Sequence, residues 1–211
     1  MHSWVVDLVK NMNPSKVAAS YDSLAKKWTS AGFNRTNGIA QHRRALQFVK
    51  HHGKALDVGC GSSGRFIDLL IGEGFAVEGL DFSSEMLRLA RLRHPHIVFH
   101  HADICTWTAP HTYDFITAWD SIWHVPLSSQ REVLGKLCSA LSPTGVIIFT
   151  AGGPDEPGEK QDCHMGVPMY HATTGVREIV RTLDESGCTC RHLEYDQHPE
   201  VHVHLIAQKS S

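Results

Sequence analysis

Three glycines and an aspartate in the first half of the chain are spaced to hold a nucleotide. Gly59, Gly61 and Gly64 form G-x-G-x-x-G immediately after a short apolar run, Ala55 to Val58, and immediately before a helix-forming segment. Glycine is needed there because the backbone must turn sharply and let a ligand approach without Cβ interference. The helix that follows points its free N–H groups back at the turn. Asp81 comes about 20 residues after Gly59, at the end of a second apolar run, where a carboxylate can accept both hydroxyls of a ribose. Asp57, two residues before the first glycine, places a second carboxylate where it can hold backbone donors or a cationic group. The glycine pattern alone also suits a plain strand-to-helix connector or a dinucleotide-binding fold.

These residues need elements to position them. Pro14 follows Asn13 as a first helical residue follows its cap, and Val17, Tyr21, Leu24, Ala25 and Trp28 then share one helical face. A second helix is expected through His51, with Arg35, Arg43, Arg44 and Lys50 on a solvated face. Beyond the glycine turn, the pattern predicts a helix over 64–73, a strand over 75–80 and a helix capped by Ser83. Short strands follow at Ile97 to His100 and Tyr113 to Trp119. Ser129 and Glu132 have capping-box spacing for a helix to about Leu141. A doubly covered strand is expected over 144–151. Residues 152–170 hold three prolines and four glycines and predict a loop on the ligand-binding edge of the sheet. A helix over 174–186 and two strands, Cys188 to Tyr195 and Val201 to Gln208, close the pattern.

The run D-V-G-C-G (Asp57 to Gly61) closely resembles motif I of the class I S-adenosylmethionine (SAM) methyltransferases. Ser63 stands where that family usually has a third glycine, with Gly64 one later, so a turn one residue longer is expected. The closing strand pair resembles the seven-stranded methyltransferase sheet. The resemblance implies an α/β fold, a single-domain Rossmann-like seven-stranded sheet with helices on both faces and a C-terminal antiparallel pair. It implies one domain over 1–211, with lid helices over 13–51 and the core over 54–211. The implied cofactor is S-adenosyl-L-methionine. Asp57, Gly59, Cys60 and Gly61 would form its turn and Asp81 would hold the ribose. Phe82 and Met86 would flank the adenine, or be ordinary core. Asp103, in His101-Ala102-Asp103-Ile104, would bond the adenine amino group, with the Ile104 backbone reading the ring; an aspartate there can equally cap a loop. Tyr21 in the first helix would lie over the methionine portion, and Trp119 would complete the wall.

The segment Trp119-Asp120-Ser121-Ile122-Trp123-His124 is where an acceptor should meet the methyl group. The Asn/Asp-Pro-Pro-aromatic run of enzymes that methylate adenine or glutamine nitrogens is not there, and the Pro-Cys of cytosine C5 enzymes occurs nowhere in the chain. His124 is the candidate general base, since a neutral imidazole can take a proton from a hydroxyl or amine. Alternatively, it bonds a backbone group and orders the loop. Sixteen histidines raise the question of a metal. His202 and His204 alternate on one strand, with His192 and His198 nearby and Cys163, His164 and His171 in the long loop. A closed site needs three or four ligands at suitable spacing, so these read more simply as the polar face of an edge hairpin, and no metal is expected.

With a net charge of −2 over 211 residues, the chain has no general basic field to draw it to nucleic acid or an anionic membrane. The six cysteines form no C-x-x-C pair, which suggests free thiols in a reducing compartment. Neither a signal-peptide pattern nor a membrane-length apolar run is seen, so a cytoplasmic location is expected. The sequence thus points to methyl transfer onto oxygen or nitrogen of a small-molecule acceptor, with the oligomeric state open. An NAD-binding oxidoreductase and a SAM-binding regulator without turnover are the rival readings.

Overall fold

Runs too short for helices and rich in branched and aromatic residues become strands, and runs with a 3.6-residue period become the helices that cover them. The computed structural model describes residues 14–30, 32–163, 166–197 and 201–211. The cap expected at Asn13, and His164 and His198, lie outside them. The strands are β1 (Lys54–Val58), β2 (Ala76–Asp81), β3 (Val98–His101), β4 (Tyr113–Ala118), β5 (Leu141–Gly152), β6 (Gly158–Asp162), β7 (Met169–Thr173), β8 (Cys188–Tyr195) and β9 (His202–Lys209). The helices are α1 (Pro14–Leu24), α2 (Ile39–Leu46), α3 (Arg65–Gly72), α4 (Ser84–Arg93), α5 (Leu127–Ser139) and α6 (Val176–Glu185), with 3₁₀ turns at Ala25–Thr29 and Ile122–His124.

Seven strands form one sheet in the order β3-β2-β1-β4-β5-β9-β8. The first five run parallel and β9 runs antiparallel to both its neighbours. Alternation along the strands feeds two cores. Ile147 and Phe149 of β5 join Leu134, Leu137 and Leu183 on one face. Val146 and Ile148 join Phe66, Ile67 and Leu70 on the other. Strand order reverses between β1 and β4, so the loops after these strands part and leave a crevice at their carboxyl ends.

Four expectations change. The second helix stops at Leu46 rather than His51, because Phe48 and Val49 turn in to pack on the core and their amides bond three residues back. The 152–170 segment is not structureless: β6 and β7 pair as an antiparallel hairpin. Burial of Met169, Tyr170, Ala172 and Thr173 holds it, a tertiary cause with no local pattern. Helix α5 begins at Leu127 without the Ser129 box, because its first amide is satisfied by the Tyr170 hydroxyl. Finally, β9 is no edge strand. It lies between β5 and β8, and His202 and His204 are buried beside Trp119 rather than exposed on a polar face.

Candidate active site

A cavity of about 570 Å³ opens at the crevice, within the usual range of about 300–1,000 Å³ for small-molecule sites. One half is built largely from backbone. Gly59 and Gly61 sit at φ 68° and 56°, and a Cβ on Gly59 would come within 2.3 Å of the Ser121 Cβ. Glycine is therefore what lets the loops after β1 and β4 close on each other. Asp81 clasps this half: Oδ2 accepts from the Gly61 amide and Oδ1 from the Ser83 amide, both at 2.8 Å. Burial raises the Asp81 pKa, and bonds from the Ser83 and Gly61 amides offset part of that rise. Each carboxylate oxygen keeps a lone pair for a ligand hydroxyl.

Cys60, Phe82, Met86, Asp103 and Ile104 line the same half. Asp103 also caps its own loop, accepting from the Cys105 amide at 2.9 Å. Asp57 does not line the cavity. It is buried in β1 behind the turn, where burial pushes its pKa up to about 7 against the pull of Arg65.

The other half is aromatic. Tyr21, Trp28, Phe33, Trp119, Trp123 and His124 line it. Trp119 is set by α2: a Cβ on Gly38, which sits at φ 83°, would lie 2.9 Å from the indole. His42 props this wall, with Nδ1 2.7 Å from the Gly38 carbonyl, Nε2 2.7 Å from the Thr117 hydroxyl and its ring stacked on Phe66 at 3.8 Å. Burial lowers the His42 pKa to about 3, so the ring is neutral.

His124 is tied on both sides. Its Nδ1 lies 2.6 Å from the Tyr170 carbonyl and must carry the proton. Its Nε2 accepts from the Tyr21 hydroxyl at 2.7 Å and from the Trp123 indole at 3.0 Å. Burial, then the neighbouring His171, lowers its pKa to about 3. The ring that sequence offered as a general base has its lone pair shared by two donors, and it braces α1 against β7.

Sequence reasoning missed His42, Arg65 and Asp22 here and misplaced His202. Arg65 lines the cavity, its Nε donating to the Asn37 carbonyl at 3.0 Å and its guanidinium lying over Phe66 at 4.3 Å and Phe33 at 5.1 Å. A cation at the first position of a helix opposes the macrodipole, and that was the available signal. Asp22 ties α1 to α4 through the Ser83 hydroxyl and the Glu85 amide, at 2.6 and 3.0 Å. His202 reaches Asp120 from β9. Arg44, read as solvated, lies 2.8 Å from His192 Nε2 and 2.6 Å from Glu194 Oε2. It occupies the cluster of His192, Glu194 and His204, whose ligand atoms lie within 4.8 Å of one another.

Residues 55–145 match the family described as a methyltransferase domain. Over these residues the chain is similar to a methyltransferase domain. The chain is similar to a ubiquinone biosynthesis O-methyltransferase of Photobacterium profundum, 30% identical over 66% of this chain and 63% of that protein. The chain thus spans less than two thirds of that relative's length. It is 33% identical to a dTDP-3-amino-3,6-dideoxy-alpha-D-glucopyranose N,N-dimethyltransferase of Streptomyces fradiae, over 53% of this chain and 47% of that one. Among solved structures, magnesium protoporphyrin IX methyltransferase of Synechocystis, with bound SAM, shares the fold. Its TM-score is 0.70 at 15% identity, covering 95% of this chain and 99% of that one.

Proposed function

We propose that this chain transfers the methyl group of SAM to an oxygen or nitrogen of a small molecule. The observation that carries the reading is the Asp81 clasp. A half-buried carboxylate already fixes the glycine turn, lines the cavity and keeps lone pairs free, which suits the paired hydroxyls of a ribose. The relatives' names include both an O-methyltransferase and an N,N-dimethyltransferase, which supports oxygen or nitrogen as the target atom.

In this reading Asp81 holds the ribose, Phe82 and Met86 flank the adenine, and Asp103 and the Ile104 backbone meet its edge. Gly59, Cys60 and Gly61 give the backbone room, Arg65 pairs with the methionine carboxylate, and Trp119 closes the wall. Asp57, buried behind the turn, supports Arg65 electrostatically rather than touching the ligand. Tyr21 is held by His124 over the methionine end, so that His124 positions the lid. The bound cofactor supplies a methyl on a sulfonium. The protein's share is alignment and exclusion of water, and alignment is worth roughly 7–11 kcal/mol of such a barrier. The chain offers no basic field for nucleic acid, and among the described residues no helix is long and apolar enough to cross a membrane. All six thiols are free, which supports a reducing, cytoplasmic setting. Calorimetry with SAM and with NAD is the test. Saturable binding of SAM and none of NAD is expected, and the reverse result removes the proposal.

A further inference from the structure

Behind the aromatic half of the cavity, two carboxylates hold one imidazole. His202 is buried in β9. Its Nδ1 lies 2.5 Å from Asp196 Oδ1 and its Nε2 lies 3.3 Å from Asp120 Oδ1. Asp196 is fixed in turn by Gln41 of α2, which donates to Oδ2 at 3.3 Å. Asp120 lines the cavity at the end of β4, beside the 3₁₀ turn that carries Trp123 and His124. It adopts φ 51°, a left-handed conformation that costs a non-glycine residue energy and is kept where the surroundings impose it. The Thr150 hydroxyl imposes it here, accepting from the Asp120 amide at 2.7 Å and donating to Oδ1 at 3.4 Å.

This arrangement turns one oxygen of Asp120 toward His202 and Thr150 and leaves the other for the cavity. We propose that Asp120, backed by His202 and Asp196, receives the N–H or O–H group of the methyl acceptor and takes its proton. The proposal rests on the methyltransferase reading. In the step, the acceptor's nitrogen or oxygen forms the new bond to the methyl carbon. The carbon–sulfur bond breaks with its electron pair staying on sulfur. The acceptor's proton passes to the free oxygen of Asp120. His202 and Asp196 are positioning residues that keep this carboxylate aimed and charged until then.

The groups around His202 fit that role. Asp120 and Asp196 face its two nitrogens, Gln197 lies 3.5 Å from Nε2, and the Trp119 and Trp123 rings pack at 6.2 and 5.4 Å. His204 stands two residues along the same strand face, and Arg65 lies across the cavity from Asp120, close enough to feel its charge. Burial pulls the His202 pKa down, but the bonds to Asp120 and Asp196 outweigh it and raise the value. The pair of carboxylates and the imidazolium together carry one negative charge. That suits a donor group from the acceptor and repels a carboxylate or phosphate.

An acceptor need not be known to test this. A thiol from Asp120→Cys stands where the acceptor atom would, so incubation with SAM should methylate it, seen by peptide mass spectrometry as one added methyl at position 120. Adding His202→Asn to that variant should slow the transfer by about tenfold or more, since no imidazolium then stands beside position 120 to favour the attacking thiolate. If SAM does not bind the wild type, the methyltransferase reading fails. If SAM binds Asp120→Cys and the thiol stays unmethylated, the proposal alone is overturned; equal rates with and without His202 overturn the part given to the imidazole. Should the cysteine variant not fold, histidine-selective NMR titration decides with Asp120→Asn, since asparagine tolerates positive φ. Its His202 midpoint should fall by about one pH unit or more relative to wild type. An unchanged midpoint sinks the coupling.

Discussion

The two halves of the cavity are made in different ways. The half at the glycine turn is drawn from one stretch of chain, residues 57–104, and its key contacts join carboxylates to nearby amides. The aromatic half joins α1, β4, β7 and β9, and its contacts cross from 46 to 103 residues of sequence. A ligand common to a whole family can be held by backbone and a few fixed carboxylates. In the proposed reading, an acceptor that differs from one relative to the next is met by side chains brought from separate elements.

The largest expected effect tests the first half. Asp81→Ala removes both backbone clasps and the ribose contacts, each charge-assisted bond being worth about 1.5–3 kcal/mol. SAM affinity measured by calorimetry should drop at least about 100-fold. A loss confined to threefold would mean that the turn, not the carboxylate, holds the ligand. In the second half, His124→Ala strands the Tyr21 hydroxyl, the Trp123 indole and the Tyr170 carbonyl. Stability from urea unfolding should fall by about 2–5 kcal/mol. SAM affinity should change less than for Asp81→Ala, and a stability unchanged by the substitution would contradict the bracing role.

A pH series sharpens the contrast further. The folded pKa values of His42 and His124, both about 3, lie below the ordinary value of about 6.5. Each therefore contributes stability that is present above pH 6.5 and lost as pH falls toward 3. Asp57, raised to about 7, works the other way: its contribution is present below the ordinary carboxylate range and fades as pH rises through 7. Asp81 and His202 are raised as well, so the share of each lowered histidine in the acid-side fall is read by comparing wild type with a variant. His42→Gln should flatten the fall by about 1.4 kcal/mol per pH unit. An identical slope in the variant would show that His42 is not the proton-linked group. The smallest effect is expected with nucleic acid. At net charge −2, retention of generic RNA in a filter assay should be weak and nearly independent of salt; tight, steeply salt-sensitive binding would reopen the acceptor class.

The same contrast explains what could be read in advance. Gly59, Gly61, Asp81 and Asp103 were legible because the turn and its partners repeat a short-range spacing that backbone geometry demands. The strand pattern and the order of elements were legible for a similar reason, since period-2 and period-3.6 runs are local. The β6–β7 hairpin was not, because burial against α1 and the loop after β4 makes Met169 to Thr173 a strand. His42 was invisible as a prop, since nothing local marks a helical histidine that will face a threonine 75 residues away. His202 was misplaced for one reason: an alternating pattern gives the faces of a strand but not its neighbours. Once β9 lies inside the sheet, its polar face becomes interior.

That position also has a consequence in time. β9 follows both β5 and β8 in the chain yet must enter between them, so neither can find its final neighbour until β9 has been made. Long-range insertion of this kind closes a large loop and is slow. The parallel strands and the glycine turn need no such wait. During synthesis the Asp81 clasp on the glycine turn can therefore form before β9 exists, whereas His202 can reach Asp120 only once that strand is in place.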